Sequence, residues 1–193
     1  MSSRNLRHLR LFEAVAETRS LTQAAERLHL SQPAVTQAIK KLEREMGGLL
    51  FERNRSGLSA TARGELLFHR VQAAFAILDP VLGEISPRLR TCLTYAQLQA
   101  LVAVTECENF TLAARQLGVA QPTVHRAITQ VEQGGARSLF ERKAFGILPT
   151  RLCRAFAQAA RLAIYELDQA EEELAELDGG EAGCINIGAM PLA

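Results

Sequence analysis

Ser20-Leu21-Thr22-Gln23-Ala24-Ala25-Glu26-Arg27-Leu28-His29-Leu30-Ser31-Gln32-Pro33-Ala34-Val35 decides the fold, because it holds two helix starts in sixteen residues. Ser20-x-x-Gln23 has the capping-box form, and a short helix should follow to about Leu28. Ala24 and Ala25 are small enough for a close helix crossing. Ser31-Gln32-Pro33 supplies a capping hydroxyl and then a proline in the first turn, where its missing N–H costs little. Upstream, Leu9, Phe12, Val15 and Ala16 recur at helical spacing and place a first helix over 4–18. Downstream, Val35, Ile39 and Leu42 turn inward while Gln32, Ala34, Thr36, Gln37 and Lys40 face out. Gly47-Gly48 ends that helix. Leu49–Arg53 and Leu58–Thr61 then read as two short strands around the turn Asn54-Arg55-Ser56-Gly57. Two helices, a tight turn and a basic hairpin make a winged helix-turn-helix.

The same unit occurs twice. Gln32-Pro33 recurs as Gln121-Pro122, an offset of 121 − 32 = 89, and that offset lays 12–64 over 101–153 without a gap. Ala24/Ala113, Ala25/Ala114, Val35/Val124, Ile39/Ile128, Glu43/Glu132, Phe51/Phe140, Arg53/Arg142, Gly57/Gly146 and Thr61/Thr150 are among the identical pairs. Two copies favour separate domains over a solenoid, which needs about three repeats. The expected fold class is mainly α: two winged helix-turn-helix domains, each followed by a linker helix. The expected organisation is copy one over 1–64, a linker helix over 65–92, a divergent copy two over 93–153, a dimerisation helix over 154–178 and a further start over 179–193.

The net charge of +1 conceals a segregation. Residues 1–70 hold twelve Lys/Arg against seven Asp/Glu, so 12 − 7 = +5. Residues 164–193 hold eight acids and no Lys or Arg. Copy one can therefore attract a polyanion and the tail cannot. Cys92, Cys107, Cys153 and Cys184 are scattered without metal or redox spacing, and His8, His29, His69 and His125 form no ligand pattern. No metal, cofactor or enzymatic activity is expected. Arg4, Arg7 and Arg10 interrupt the N-terminal apolar residues, and no uninterrupted apolar run approaches the ~20 residues that span a bilayer. A cytoplasmic protein without a membrane partner is expected.

Short polar side chains on the first turn of the second helix suit base edges. Gln can donate to and accept from adenine, while Thr or Ala can touch a thymine methyl. Ser31, Gln32, Pro33, Ala34, Thr36 and Gln37 are thus candidates for base readout and helix entry. Lys40, Arg53 and Arg55 are candidates for phosphate, which orients the protein without carrying sequence information. The competing reading is a helical protein–protein module whose basic face is only solvated.

Phe12–Phe51 resembles the DNA-binding domain of LysR-type transcriptional regulators. The carrying pattern is Leu21-Thr22-x-Ala24-Ala25-x-x-Leu28-x-Leu30-Ser31-Gln32-Pro33-Ala34-Val35-x-x-x-Ile39-x-x-Leu42-Glu43-x-x-x-Gly47-x-x-Leu50-Phe51-x-Arg53. Thr61-x-x-Gly64 fits the start of the family's linker helix. The resemblance implies double-stranded DNA as partner and dimerisation through the linker helix. It also implies a small-molecule effector domain of two α/β lobes, and the chain departs from the family by a second DNA-binding-like unit and by stopping near that domain's start. Gly183–Leu192 looks like its first strand, so a fragment or a truncated gene, lacking the effector site, is expected.

Copy two is looser. Ala120 replaces the capping Ser31, and Gly134-Gly135 falls where copy one has Glu45-Met46, so its second helix is expected to end early. Phe145 in the hairpin tip is an odd residue to leave in water. Gln121, Pro122, Thr123, His125 and Arg126 are its readout candidates, with Arg142 and Lys143 for phosphate. Either copy two reads a different sequence, Arg126 favouring guanine, or it has become a packing module.

Phe156, Ala160, Ala163, Leu167, Ala170, Leu174 and Leu177 form a heptad seam, and Leu67, Val71, Ala74, Leu78, Val81 and Ile85 lie in the same register. Leu67, Val71, Leu78, Phe156, Leu167, Leu174 and Leu177 are the dimerisation candidates. Pro80, with Asp79 as a fresh cap, is expected to break or kink the first linker helix. The seams allow a homodimer or an intramolecular pseudo-dimer, in which the linker helices of one chain pair with each other.

Overall fold

The helix starts read from the sequence set the element order in the computed structural model, which describes residues 5–54, 57–143 and 146–180. Copy one runs α1 (Leu6–Thr18), α2 (Leu21–Arg27), α3 (Gln32–Glu45), β1 (Phe51–Asn54), β2 (Gly57–Ala60) and α4 (Ala62–Ile85). A one-turn α5 (Leu89–Cys92) leads into α6 (Tyr95–Cys107), α7 (Phe110–Leu117), α8 (Gln121–Gly135), β3 (Phe140–Lys143), β4 (Gly146–Pro149) and α9 (Arg151–Gly180). Each pair of strands is an antiparallel hairpin, with Phe51 opposite Ala60 and Phe140 opposite Pro149. The fold is mainly α, built from two winged helix-turn-helix units and their long helices.

Local chemistry explains the boundaries. Ser20 and Ser31 each accept a backbone N–H at the start of α2 and α3. Thr94 and Gln97 close a reciprocal capping box on α6. Ala120 makes no side-chain cap, yet α8 forms, because Val124, Ile128 and Val131 are buried. Three such side chains contribute ~1.5–3 kcal/mol each, against about 1 kcal/mol for the lost cap.

Two expectations about helix ends are corrected. Gly134-Gly135 does not shorten the second helix of copy two, for α8 runs through Gly135. The glycines are there for contact. A Cβ on Gly134 would lie 2.8 Å from Leu89, and one on Gly135 would lie 2.6 Å from Ile85. Nor does α4 break at Pro80; it continues to Ile85. Pro80 forfeits one backbone bond at about 3 kcal/mol. Leu78, Leu82 and Ile85 on either side are buried and together outweigh it. Asp79 does not cap a new helix; it is ion-paired with Arg10, whose guanidinium also lies 3.9 Å over the Phe75 ring. Arg55, Phe145 and the Gly183–Leu192 stretch lie outside the described residues.

The two long helices pack on each other. Arg70 of α4 reaches Glu166 and Glu173 of α9, and Arg63 reaches Asp178, so the pair is antiparallel. Leu67, Val71 and Leu78 of α4 are buried, as are Phe156, Leu167 and Leu174 of α9, while Leu177 stays 40% exposed. By length and composition α4 could also cross a membrane, with a mean hydropathy of 1.2. Its apolar side is instead covered by α1 and α9.

The packing is reciprocal. The end of α4 and the following turn lie on Gly134-Gly135, at the C-terminal end of α8. Near the end of α9, Asp178 meets Gly47 and Arg63 at the C-terminal end of α3. Arg63 is itself buried and donates to the Met46 carbonyl at 2.7 Å. Each linker helix thus closes the C-terminal end of the other unit's third helix, α4 on α8 and α9 on α3.

Gly64 marks the tightest crossing, since a Cβ there would sit 2.1 Å from the Leu50 carbonyl oxygen. Cys153 holds the corresponding place in copy two, buried beside Thr105, and burial pushes its thiol up to about 11. Gly64→Ala should lower stability by about 1–3 kcal/mol, read as a fall in thermal midpoint. Burial, opposed by Arg10, pushes the Glu13 carboxyl up to about 7 from a model-peptide 4.5. The native state therefore holds the proton more tightly than the unfolded chain across that window. Stability should fall as pH rises from about 4.5 through 7. Glu13→Gln should remove that slope in urea unfolding at a series of pH values.

Candidate nucleic-acid interface

At one end of copy one, the start of α2, the start of α3 and the hairpin enclose an open polar cleft. Arg19, Ser20, Thr22, Gln32, Arg53 and Asn54 line it. Ser31, Gln32, Pro33, Ala34, Gln37 and Lys40 are exposed, whereas Val35, Ala38, Ile39 and Leu42 are buried. Thr36 is half-buried and donates its hydroxyl to the Gln32 carbonyl at 2.9 Å, so its methyl is the part left to a ligand. Arg53 is exposed on β1, and Asn54 bonds Ser59 across the hairpin at 2.9 Å. Phe51 roots that hairpin through its ring contact with Phe12, centroids 5.3 Å apart.

Sequence reasoning passed over several groups on this face. Arg19 sits at the C-cap of α1 with φ 51°, which turns the chain into the cleft. Lys41 and Arg44 are exposed on α3 beside Lys40. The signal for Arg19 was present in the repeat, because its counterpart is Glu108.

Copy two repeats the frame with other chemistry. Gln121, Pro122, Thr123, His125 and Arg126 are exposed on α8, and Arg142 and Lys143 on β3. His125 is held by its own unit: its ring lies 5.2 Å from Phe110, and Nδ1 is 3.5 Å from the Thr129 hydroxyl. Lys143 is paired with Glu141 at 2.9 Å. Arg126 makes no ion pair or hydrogen bond among the described residues. Bulk has also changed places between the copies. Phe12 and Leu21 of copy one correspond to Leu101 and Phe110, and Phe110 now takes the ring contact with the hairpin's Phe140.

The family model described as bacterial regulatory helix-turn-helix protein, lysR family, matches the chain twice, over residues 6–65 and 95–154. The chain belongs to this family. It is 35% identical over 191 residues to the HTH-type transcriptional regulator GalR of Pseudomonas putida, a match that covers 97% of this chain and 48% of GalR. It is 51% identical over 117 residues to the RuBisCO operon transcriptional regulator of Allochromatium vinosum, covering 61% of this chain and 37% of that one. A crystal structure of BenM_DBD in a catB site 1 DNA complex aligns at 33% identity and a TM-score of 0.40, over 42% of this chain and 91% of that one. The chain spans about half the length of GalR or less of such relatives.

In this LysR-family chain one carboxylate per unit fixes the hairpin to the helix before it, α3 or α8. Glu43 accepts from the Leu50 and Phe51 amides at 3.0 and 3.4 Å. Glu132 accepts from Leu139 and Phe140 at 2.7 and 3.3 Å. The identical pair Glu43/Glu132 was visible in the sequence, but its role needed the turn that brings residue 50 back to residue 43. Glu43→Ala leaves two donors without that acceptor and should cost about 1–3 kcal/mol in urea unfolding, with Glu132→Ala similar.

Proposed function

We propose that this chain is a sequence-specific DNA-binding regulator of transcription that presents two unlike recognition helices as an intramolecular pseudo-dimer. The observation that carries the DNA reading is the exposed first turn of α3, beside a cleft edged by Arg19 and Arg53. A helix in the major groove with a hairpin on the flanking backbone is the arrangement this geometry suits. Gln32, Ala34, Thr36 and Gln37 would meet base edges, and Lys40 and Arg53 would meet phosphate.

The pseudo-dimer reading is supported by the antiparallel pairing of α4 with α9 and by their reciprocal packing. Such an arrangement relates the two units by an approximate two-fold axis, the symmetry that dimeric helix-turn-helix proteins match with paired half-sites. Here both halves come from one chain and differ in sequence, so the preferred site is asymmetric.

Selection of bound duplexes from a random pool, at near-physiological salt, should enrich two different half-sites at fixed spacing with one chain per duplex. A palindrome carrying two chains would overturn the pseudo-dimer, and no enrichment by the folded protein would overturn the DNA reading. Within copy one, Gln37→Ala should relax preference at one position. Arg53→Ala should weaken all sequences alike and reduce the salt slope by about 1.

A further inference from the structure

The two recognition faces carry different electrostatic equipment on the same backbone frame. After its first turn α3 exposes Lys40, Lys41 and Arg44, and the positions 89 residues later hold Thr129, Gln130 and Gln133. Gln130 is also engaged, accepting from Gln97 at 3.0 Å. The residue that turns α1 into the cleft is Arg19, while the one that turns α6 is Glu108. Both take the left-handed conformation, with φ 51° and 47°, so the charge is reversed at one geometric position. Glu108 also stands close to the second hairpin, since a Cβ on Gly146 would lie 3.8 Å from its carbonyl oxygen. The second half of α8 and the turn before α7 therefore carry less positive charge than their counterparts in copy one, where Lys41 lies 3.9 Å from Glu45; elsewhere copy two exposes Arg115, Arg137 and Lys143.

What copy two has instead is Arg126, in the place of Gln37. It is exposed on the second turn of α8 and unengaged among the described residues. The neighbouring His125 is tied to Phe110 and Thr129. A guanidinium freed in this way at the readout position can bond guanine O6 and N7 together, the commonest specific contact a side chain makes in the major groove.

We propose that the two third helices divide the work of recognition: α3 supplies a phosphate grip through Lys41 and Arg44 beside Lys40, and α8, which lacks those cations, supplies a guanine contact through Arg126. This rests on the DNA reading above. It places the salt dependence of binding in α3 and its cleft. It places discrimination at one G·C pair in α8.

The test uses the full chain and its selected duplex, with affinity measured across a salt series. Each base pair of the copy-two half-site is also replaced in turn. Lys41→Gln with Arg44→Gln should weaken every sequence and reduce the magnitude of the log–log salt slope by about 2. Arg126→Gln should lower the preference for one G·C pair by on the order of 10-fold or more. Glu108→Arg should strengthen binding to all sequences and steepen the slope. All of these side chains are exposed, so the variants should retain the parent thermal midpoint. If Arg126→Gln weakens all sequences equally, Arg126 is a phosphate contact and the division is wrong. If Arg126→Gln changes nothing while the α3 pair does, copy two reads no DNA; the inference then fails and the DNA-binding reading stands. If the α3 pair changes nothing, α3 supplies no such phosphate grip and the inference fails, while the DNA-binding reading fails only if the folded parent chain selects no duplex.

Discussion

The antiparallel pairing of α4 with α9 inside one chain is the constraint on which the rest of the structure depends. Each winged unit is small, and a unit of this size buries too little apolar surface to be robust alone. The paired helices supply the missing core. Leu67, Val71, Ala74, Leu78 and Leu82 on one side, and Phe156, Ala160, Ala163, Leu167 and Leu174 on the other, belong to a single continuous core with both units. Stability comes mainly from this seam. The ion pairs are partly exposed, and solvent screening leaves pairs of that kind little net stabilisation. Their contribution is register and direction: Arg70 gripping Glu166 and Glu173 is compatible with one sliding position of the antiparallel pair.

That pairing also changes the meaning of the charge distribution. The acidic stretch after residue 164 reads, on the sequence, as an isolated repulsive tail. In the fold Glu166, Glu173 and Asp178 reach Arg70 and Arg63 of the first linker helix, and Arg70 holds Glu173 below the usual carboxylate range. Arg63 and Arg70 are thereby withdrawn from any external anion. Most of the cations left exposed in copy one lie on α3, on the hairpin and at the α1–α2 turn; Arg7 is exposed on α1, and Arg27 on α2 is paired with Glu17. The segregation thus helps to fix the two long helices against each other and takes Arg63 and Arg70 out of the exposed positive charge.

The same frame tolerates considerable change in what it carries. Glu43 and Glu132 bond the same pair of backbone amides, and Thr61 and Thr150 cap the same turn. Around these fixed points the copies exchange bulk between Phe12/Leu21 and Leu101/Phe110, and exchange charge between Arg19 and Glu108. The carboxylate and hydroxyl that hold these turns are kept, although the Ser31 cap is not, while these bulky and charged positions differ. The difference between the two recognition faces is what such freedom produces.

The sequence alone determined the two winged units and the order of their helices and hairpins, because caps, turns and helical periodicity are local and are written in consecutive residues. It also determined which side chains on α3 point outward, since a helix of period 3.6 leaves no other choice once Val35, Ile39 and Leu42 go inward. It misjudged Pro80 and Gly134-Gly135 for one reason. Propensity weighs a residue against its own helix, whereas these helices are held by neighbours far away in sequence, Arg10 for the first and Ile85 and Leu89 for the second. Only the tertiary structure decided that the two seams meet within one chain. Only it showed that each linker helix closes the other unit, that His125 is tied down and that Arg126 is free. Those outcomes depend on which surfaces come together through space, and a repeat in sequence leaves that open.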